Sequence, residues 1–229
     1  MIAGLPLWIE VLFIACCLFT IVVFHLANGR PRKISLFILT WTIAHSLLAL
    51  NGFYQNTEAF PPRFAWILIP AILIVIWASL PRNTRKIIQK RNAAMSVFIH
   101  AVRLPVEIVL WQLFIFEMVP ELMTFEGRNF DIIMGITAPL IALLVWLNKI
   151  PKGLLLIWNS IGLILVLFIL INGILSAELP FQQFAFDQPN RGITYFPFVL
   201  LPATIVPIAV WTHLTDIFIL LREFNKRSK

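Results

Sequence analysis

His100, Arg103 and Glu107 stand inside an otherwise apolar segment, "IHAVRLPVEIVLW" at 99–111. At 100° per residue the three fall within about 60° of one another and so line one face of a helix. Arg103 and Glu107 have the i,i+4 spacing at which an ion pair forms along a helix, so each is the other's expected partner. A second ionisable group, His213 with Asp216, lies at i,i+3 in "WTHLTD", and His45 stands alone in "TIAHSL". A charge near the centre of a bilayer costs about 2.5–3.5 kcal/mol on insertion scales, so such residues turn inward and find partners. His45, His100, Arg103, Glu107, His213 and Asp216 have overlapping depths along their segments, and a buried polar site joining the three segments is expected.

Two chemistries suit that residue set. On a translocation pathway for a small solute or the proton, imidazoles that titrate near neutrality pass protons, while Arg103 holds an anionic group or tunes Glu107 and Asp216. As metal ligands, His45, His100 and His213 with Asp216 or Glu107 suit zinc, iron, copper or nickel, and a haem between two histidines is a variant. No HExxH or other dense ligand pattern occurs. Glu10, Glu117 and Glu121 define an expected outer acidic vestibule attracting cations or protons. A receptor or assembly factor would instead use the outer segment "VPELMTFEGRNFD" at 119–131. The sequence has no serine-nucleophile motif, phosphate-binding glycine loop or paired-carboxylate spacing from which to write a reaction.

The elements that carry these residues are hydrophobic. Of the 229 residues 60% are hydrophobic and 13% charged, with mean hydropathy +0.89, a composition of an integral membrane protein. Apolar runs at 6–27, 34–53, 64–80, 93–116, 132–148, 153–176 and 195–221 are each about 17 residues or longer, enough to cross the hydrocarbon as helix. The expected fold is all-α: a single domain of seven transmembrane helices, with six spans as the alternative. The third and fifth runs are short, and Pro70 in the third marks either a kink or a re-entrant turn. Pro70, Pro105, Pro139, Pro202 and Pro207 together free backbone carbonyls within the spans. The first run has no basic residue before it and carries Glu10, so it is read as a retained helix rather than a signal peptide. Cys16 and Cys17 read as small buried hydrophobes, and His25 as an interfacial side chain.

The net charge of +7 follows the loops and points away from nucleic acid. "NGRPRK", "PRNTRKIIQKRN", "NKIPKG" and "REFNKRSK" hold 14 of the 18 Lys and Arg, with Glu223 the only acid. The alternate links hold Glu58, Glu121, Glu126, Asp131, Glu178 and Asp187 against Arg63, Arg128 and Arg191. The positive-inside rule therefore puts the N-terminus outside and the C-terminus in the cytoplasm, in a bacterial inner membrane, with the lipid bilayer as the chain's first partner. The outer segment 176–198 reads as an interfacial loop or as a lid over an outward-facing cavity.

"LALNGF" and "LINGIL", then "FAWILIPAILIVIW" and "FPFVLLPATIVPIAVW", recur in the same order. They suggest a parallel repeat of spans one to three and five to seven about a linking fourth. This 3+1+3 arrangement with an outside N-terminus is similar to that of the SWEET sugar transporters, although the Pro-Gln pairs of their wider PQ-loop relatives are absent. The microbial rhodopsins share the orientation but need a lysine in the last span, and residues 195–221 contain none.

Overall fold

The computed structural model describes residues 2–57, 59–88 and 90–227. Glu58, among the outer acids, and the last two residues of the basic tail lie outside them. The chain forms α1 (Leu7–Ala27), α2 (Arg32–Leu50), α3 (Ala65–Ser79), α4 (Pro81–Ile87), α5 (Ala93–Phe98), α6 (Arg103–Ile115), α7 (Asp131–Trp146), α8 (Lys152–Leu175) and α9 (Val206–Arg227). No strand occurs among the described residues. A 3₁₀ turn, Ile99–Val102, joins α5 and α6 into one 23-residue rod, and a π-helical turn, Leu201–Ile205, leads into α9.

Among the described residues five helices are long and apolar enough to cross a membrane: Leu7–Ala27, Arg32–Leu50, Ala93–Ile115, Lys152–Leu175 and Leu201–Lys226. The other two apolar runs take different forms. α3 and α4 meet at a bend of 87°, and the 16 residues of α7 rise only about 24 Å, short of the roughly 30 Å of hydrocarbon. α3 continues through Pro70, and the third run does not end there. The break falls where Pro81, whose missing N–H costs nothing at a first helical position, starts α4.

Burial runs opposite to that of a water-soluble protein. Leu18, Val22, Ile43, Ile72, Ile136 and Ile164 are exposed, whereas His100, Arg103, Glu107, Asn159 and His213 are buried. An outer surface this apolar needs a lipid-like solvent, and the arrangement is compatible with a multi-pass membrane protein.

Two glycines set how closely the helices approach. A Cβ on Gly135 of α7 would stand 2.3 Å from the Leu104 backbone nitrogen, and one on Gly162 of α8 would stand 2.5 Å from Cε1 of His213. Without side chains at these points α7 can press on α6, and α8 on α9. Gly162→Ala is therefore expected to destabilise by about 1–3 kcal/mol through overpacking, measurable as a lower unfolding midpoint of the detergent-solubilised protein.

Pro207 lacks the N–H that would bond Ala203 O. Trp41 of α2 fills that role, its Nε1 donating to Ala203 O at 2.9 Å, while the Thr42 and Thr204 hydroxyls bond at 2.9 Å. These contacts tie α2 to the π turn. The proposed repeat partners differ here, since α3 stays α-helical where 201–205 does not.

In the link after α8, Arg191 donates from Nε and Nη2 to Glu178 at 3.0 and 3.1 Å, both side chains about half exposed. The Glu178 carboxylate holds the Arg191 guanidinium pKa above its ordinary value. An exposed pair contributes little, so Glu178→Gln is expected to change stability by less than about 1 kcal/mol, with an unfolding midpoint close to wild type.

Candidate functional site

The rod of α5 and α6 carries the central histidine. Pro105 removes the N–H that would bond Ala101 O, and the backbone tightens to the 3₁₀ turn just before it, in which His100 sits. His100 and His213 of α9 lie face to face, ring centroids 3.8 Å apart and planes 9° from parallel. Both are fully buried. Trp158 packs edge-on to His100, and its Nε1 donates to Thr137 Oγ1 at 3.1 Å.

Asn159 fixes the tautomer of His213. Its amide nitrogen donates to Leu155 O, so Oδ1 faces the ring and accepts from His213 Nδ1 at 2.9 Å. His213 Nε2 is then the acceptor nitrogen, and it finds no protein partner. Neither nitrogen of His100 has one. A buried unsatisfied polar group costs about 1–3 kcal/mol, so three in one stack are unusual in a structural core.

On one side of the histidines is Asp216. Arg91, from the link between α4 and α5, donates through Nε to Asp216 Oδ1 at 2.8 Å, and Ser96 donates to Oδ2 at 2.6 Å. Arg91 also donates to Asn28 Oδ1, Ser96 Oγ and Thr212 O, with 6% of its side chain exposed. The sequence reading left Arg91 among the loop cations. No local pattern separates a loop arginine that folds inward from one that meets lipid headgroups.

On the other side Arg103 pairs with Asp131, not with Glu107 as the i,i+4 spacing suggested. Arg103 Nη1 lies 3.3 Å from Asp131 Oδ1. The close approach at Gly135 accounts for this, because it brings the first residue of α7 to the level of Arg103. Glu107 instead accepts from Asn129 Nδ2 at 2.6 Å, and Asn129 Oδ1 accepts from the Asp131 backbone N–H. Two buried carboxyl groups thus stand near one buried guanidinium, which pairs with Asp131.

A cavity of about 60 Å³ opens beside Arg103, Glu107, Asn129 and Asp131 and is otherwise lined mainly by apolar side chains. That is room for a few water molecules. Phe64 and Asn190 line both this cavity and a second pocket bordered by Tyr54, Arg63, Glu178 and Arg191.

The structure does not bring the remaining expected residues to this centre. His45 bonds Tyr54 through Nδ1 and packs on Trp41; burial pushes the Tyr54 hydroxyl up to about 12, so it keeps its proton. The expected ligand set of His45, His100, His213 and Asp216 is not gathered, and no group of three or more His, Cys, Asp or Glu positioned for a metal occurs among the described residues. His45 faces Tyr54 and Trp41 instead of the stacked histidines. The stacked rings also direct their in-plane lone pairs side by side rather than toward a shared ion. Glu10 is buried in α1 with Oε1 unpartnered, whereas Glu117 and Glu121 are exposed beyond α6, so the three do not share one environment. His25 bonds Ser35 and stands apart.

The fold and site define an all-helical chain with several helices long and apolar enough to cross a membrane, packed around a buried string of ionisable residues. It belongs to the family described as "Domain of unknown function (DUF8737)", whose model matches residues 59–222. That span contains Arg91, His100, Arg103, Glu107, Asp131, His213 and Asp216, and leaves α1 and α2 outside. No curated protein and no solved structure matches the chain.

Proposed function

We propose that this protein conducts protons across a membrane through the buried string Asp216–His213/His100–Arg103–Asp131/Glu107. In this reading α3 with α4 and the short α7 cross along with the five long helices, making seven spans. The N-terminus lies outside and the basic C-terminus in the cytoplasm of a bacterial inner membrane, as the loop charges favour.

The observation that carries the proposal is the stacked histidine pair, with three ring nitrogens that have no protein partner, set between two charged clusters. Imidazole accepts a proton on one nitrogen and releases it from the other, which makes it suited to relay at neutral pH. From Ser96 to Glu107 the string rises about 16 Å along its rod, roughly half of the hydrocarbon thickness. The cavity beside Glu107 and Asp131 leads toward the second pocket and provides the entry side. Its size favours the proton over a larger solute, since about 60 Å³ accommodates water and little else. Arg103 would repel a bare cation, but its two carboxylate neighbours more than neutralise it.

Purified protein in liposomes carrying a pH-sensitive dye tests this. A potassium diffusion potential should drive internal acidification well above the rate of protein-free liposomes. Folded, inserted protein that leaves the rate at the protein-free level would rule the proposal out.

A further inference from the structure

A groove of about 490 Å³ opens between the first half of α2, the second half of α3, α4 and the start of α9, and none of the string's own residues lines it. Its volume lies within the roughly 300–1,000 Å³ of small-molecule sites. Its origin follows from the contacts above. Trp41 and Thr42 hold α2 against the π turn at residues 203 and 204, while the chain bends by 87° after α3 and buries Ile87 of α4 beside Phe24 and Trp211.

The groove is apolar along its length and basic at one end. Lys33, Phe37 and Trp41 line it at i, i+4 and i+8 of α2, so an apolar stripe runs out to a lysine near the helix start. Lys86 and Asn83 of α4 line it just past the end of α3. Both lysines are exposed, neither makes an ion pair among the described residues, and no Asp or Glu lines the groove. Arg82 and Arg85 are exposed on the same short helix, whose Thr84 and Ile87 are buried, the pattern of a segment lying at a headgroup layer.

We infer that this groove binds one anionic phospholipid from the cytoplasmic leaflet, an acyl chain lying against Phe37 and Trp41 and the phosphate meeting Lys33 and Lys86. The charge decides the occupant. A purely apolar groove would accept any lipid tail or a helix of a second copy, whereas two unpaired lysines at its mouth, with no carboxylate to answer them, select a negative headgroup. The site is independent of proton conduction, and its failure would leave that proposal untouched.

Native mass spectrometry of the full chain in detergent, with phosphatidylglycerol or phosphatidylcholine of identical acyl chains added, tests the inference. One phosphatidylglycerol should stay bound at collision energies that strip phosphatidylcholine. Lys33→Ala/Lys86→Ala should lower its retention roughly tenfold or more, to the phosphatidylcholine level, while Lys33→Arg/Lys86→Arg should retain it. Ala71→Trp, which fills the groove between the helices, should weaken both lipids. Equal retention of the two lipids by the wild-type protein, unchanged phosphatidylglycerol retention in the double alanine variant, or a lipid-free dimer would each overturn it.

Discussion

Replacing Arg103 with leucine is expected to cost about 3–5 kcal/mol of stability, the usual penalty for removing one member of a buried ion pair. Arg103 is 4% exposed and lies between Asp131 and Gly162 O. Without it Asp131 and Glu107 are left as neighbouring buried carboxyls with no cation. The penalty belongs mostly to the stranded carboxylate, since replacing both members of such a pair with apolar residues is often neutral. Arg103→Leu/Asp131→Leu should therefore recover most of the lost stability, as read by thermal unfolding in detergent. It should not recover proton flux. A double variant that regains both would reduce the pair to a packing device.

His100→Gln/His213→Gln is expected to fold with stability within about 1 kcal/mol of wild type and to lose proton flux roughly a hundredfold. The stacked rings contribute contact area, but three of their four nitrogens lack a protein partner, so the hydrogen bonding given up is small. Glutamine keeps comparable length and polarity and cannot titrate. A positioned proton-transfer group typically supplies 10²–10⁴-fold, which sets the expected loss at the low end. Equal flux in the variant would show that protons pass elsewhere, and a large fall in stability would show that the pair is structural.

Much of the architecture was legible because hydropathy and proline chemistry are local. The runs that become α1, α2, the α5–α6 rod, α8 and α9 are long enough to be read directly, and the two runs that looked short are the bent α3–α4 pair and the 16-residue α7. His100, Arg103 and Glu107 were legible as one buried face by helical angle alone, and His213 as a group at matching depth. Their partners were not. Asp131 reads as a loop acid, yet the Cβ-free contact at Gly135 carries it to Arg103. Arg91 reads as one more positive-inside residue, yet it folds back to Asp216. His45 shows the converse: its direction about the helix axis is fixed by Tyr54 and Trp41, which matching segment depths does not encode. Asn129 and Asn159 gave no signal, since a lone asparagine matters only through what packs on it.

The most direct test of the central claim compares wild-type protein with His100→Gln/His213→Gln, reconstituted at equal protein-to-lipid ratio. Acidification of the liposome lumen under a potassium diffusion potential is the readout. The account predicts rapid acidification with the wild-type protein and a rate near that of protein-free liposomes with the variant. Equal rates for the two proteins, whether both fast or both at the protein-free level, would contradict it.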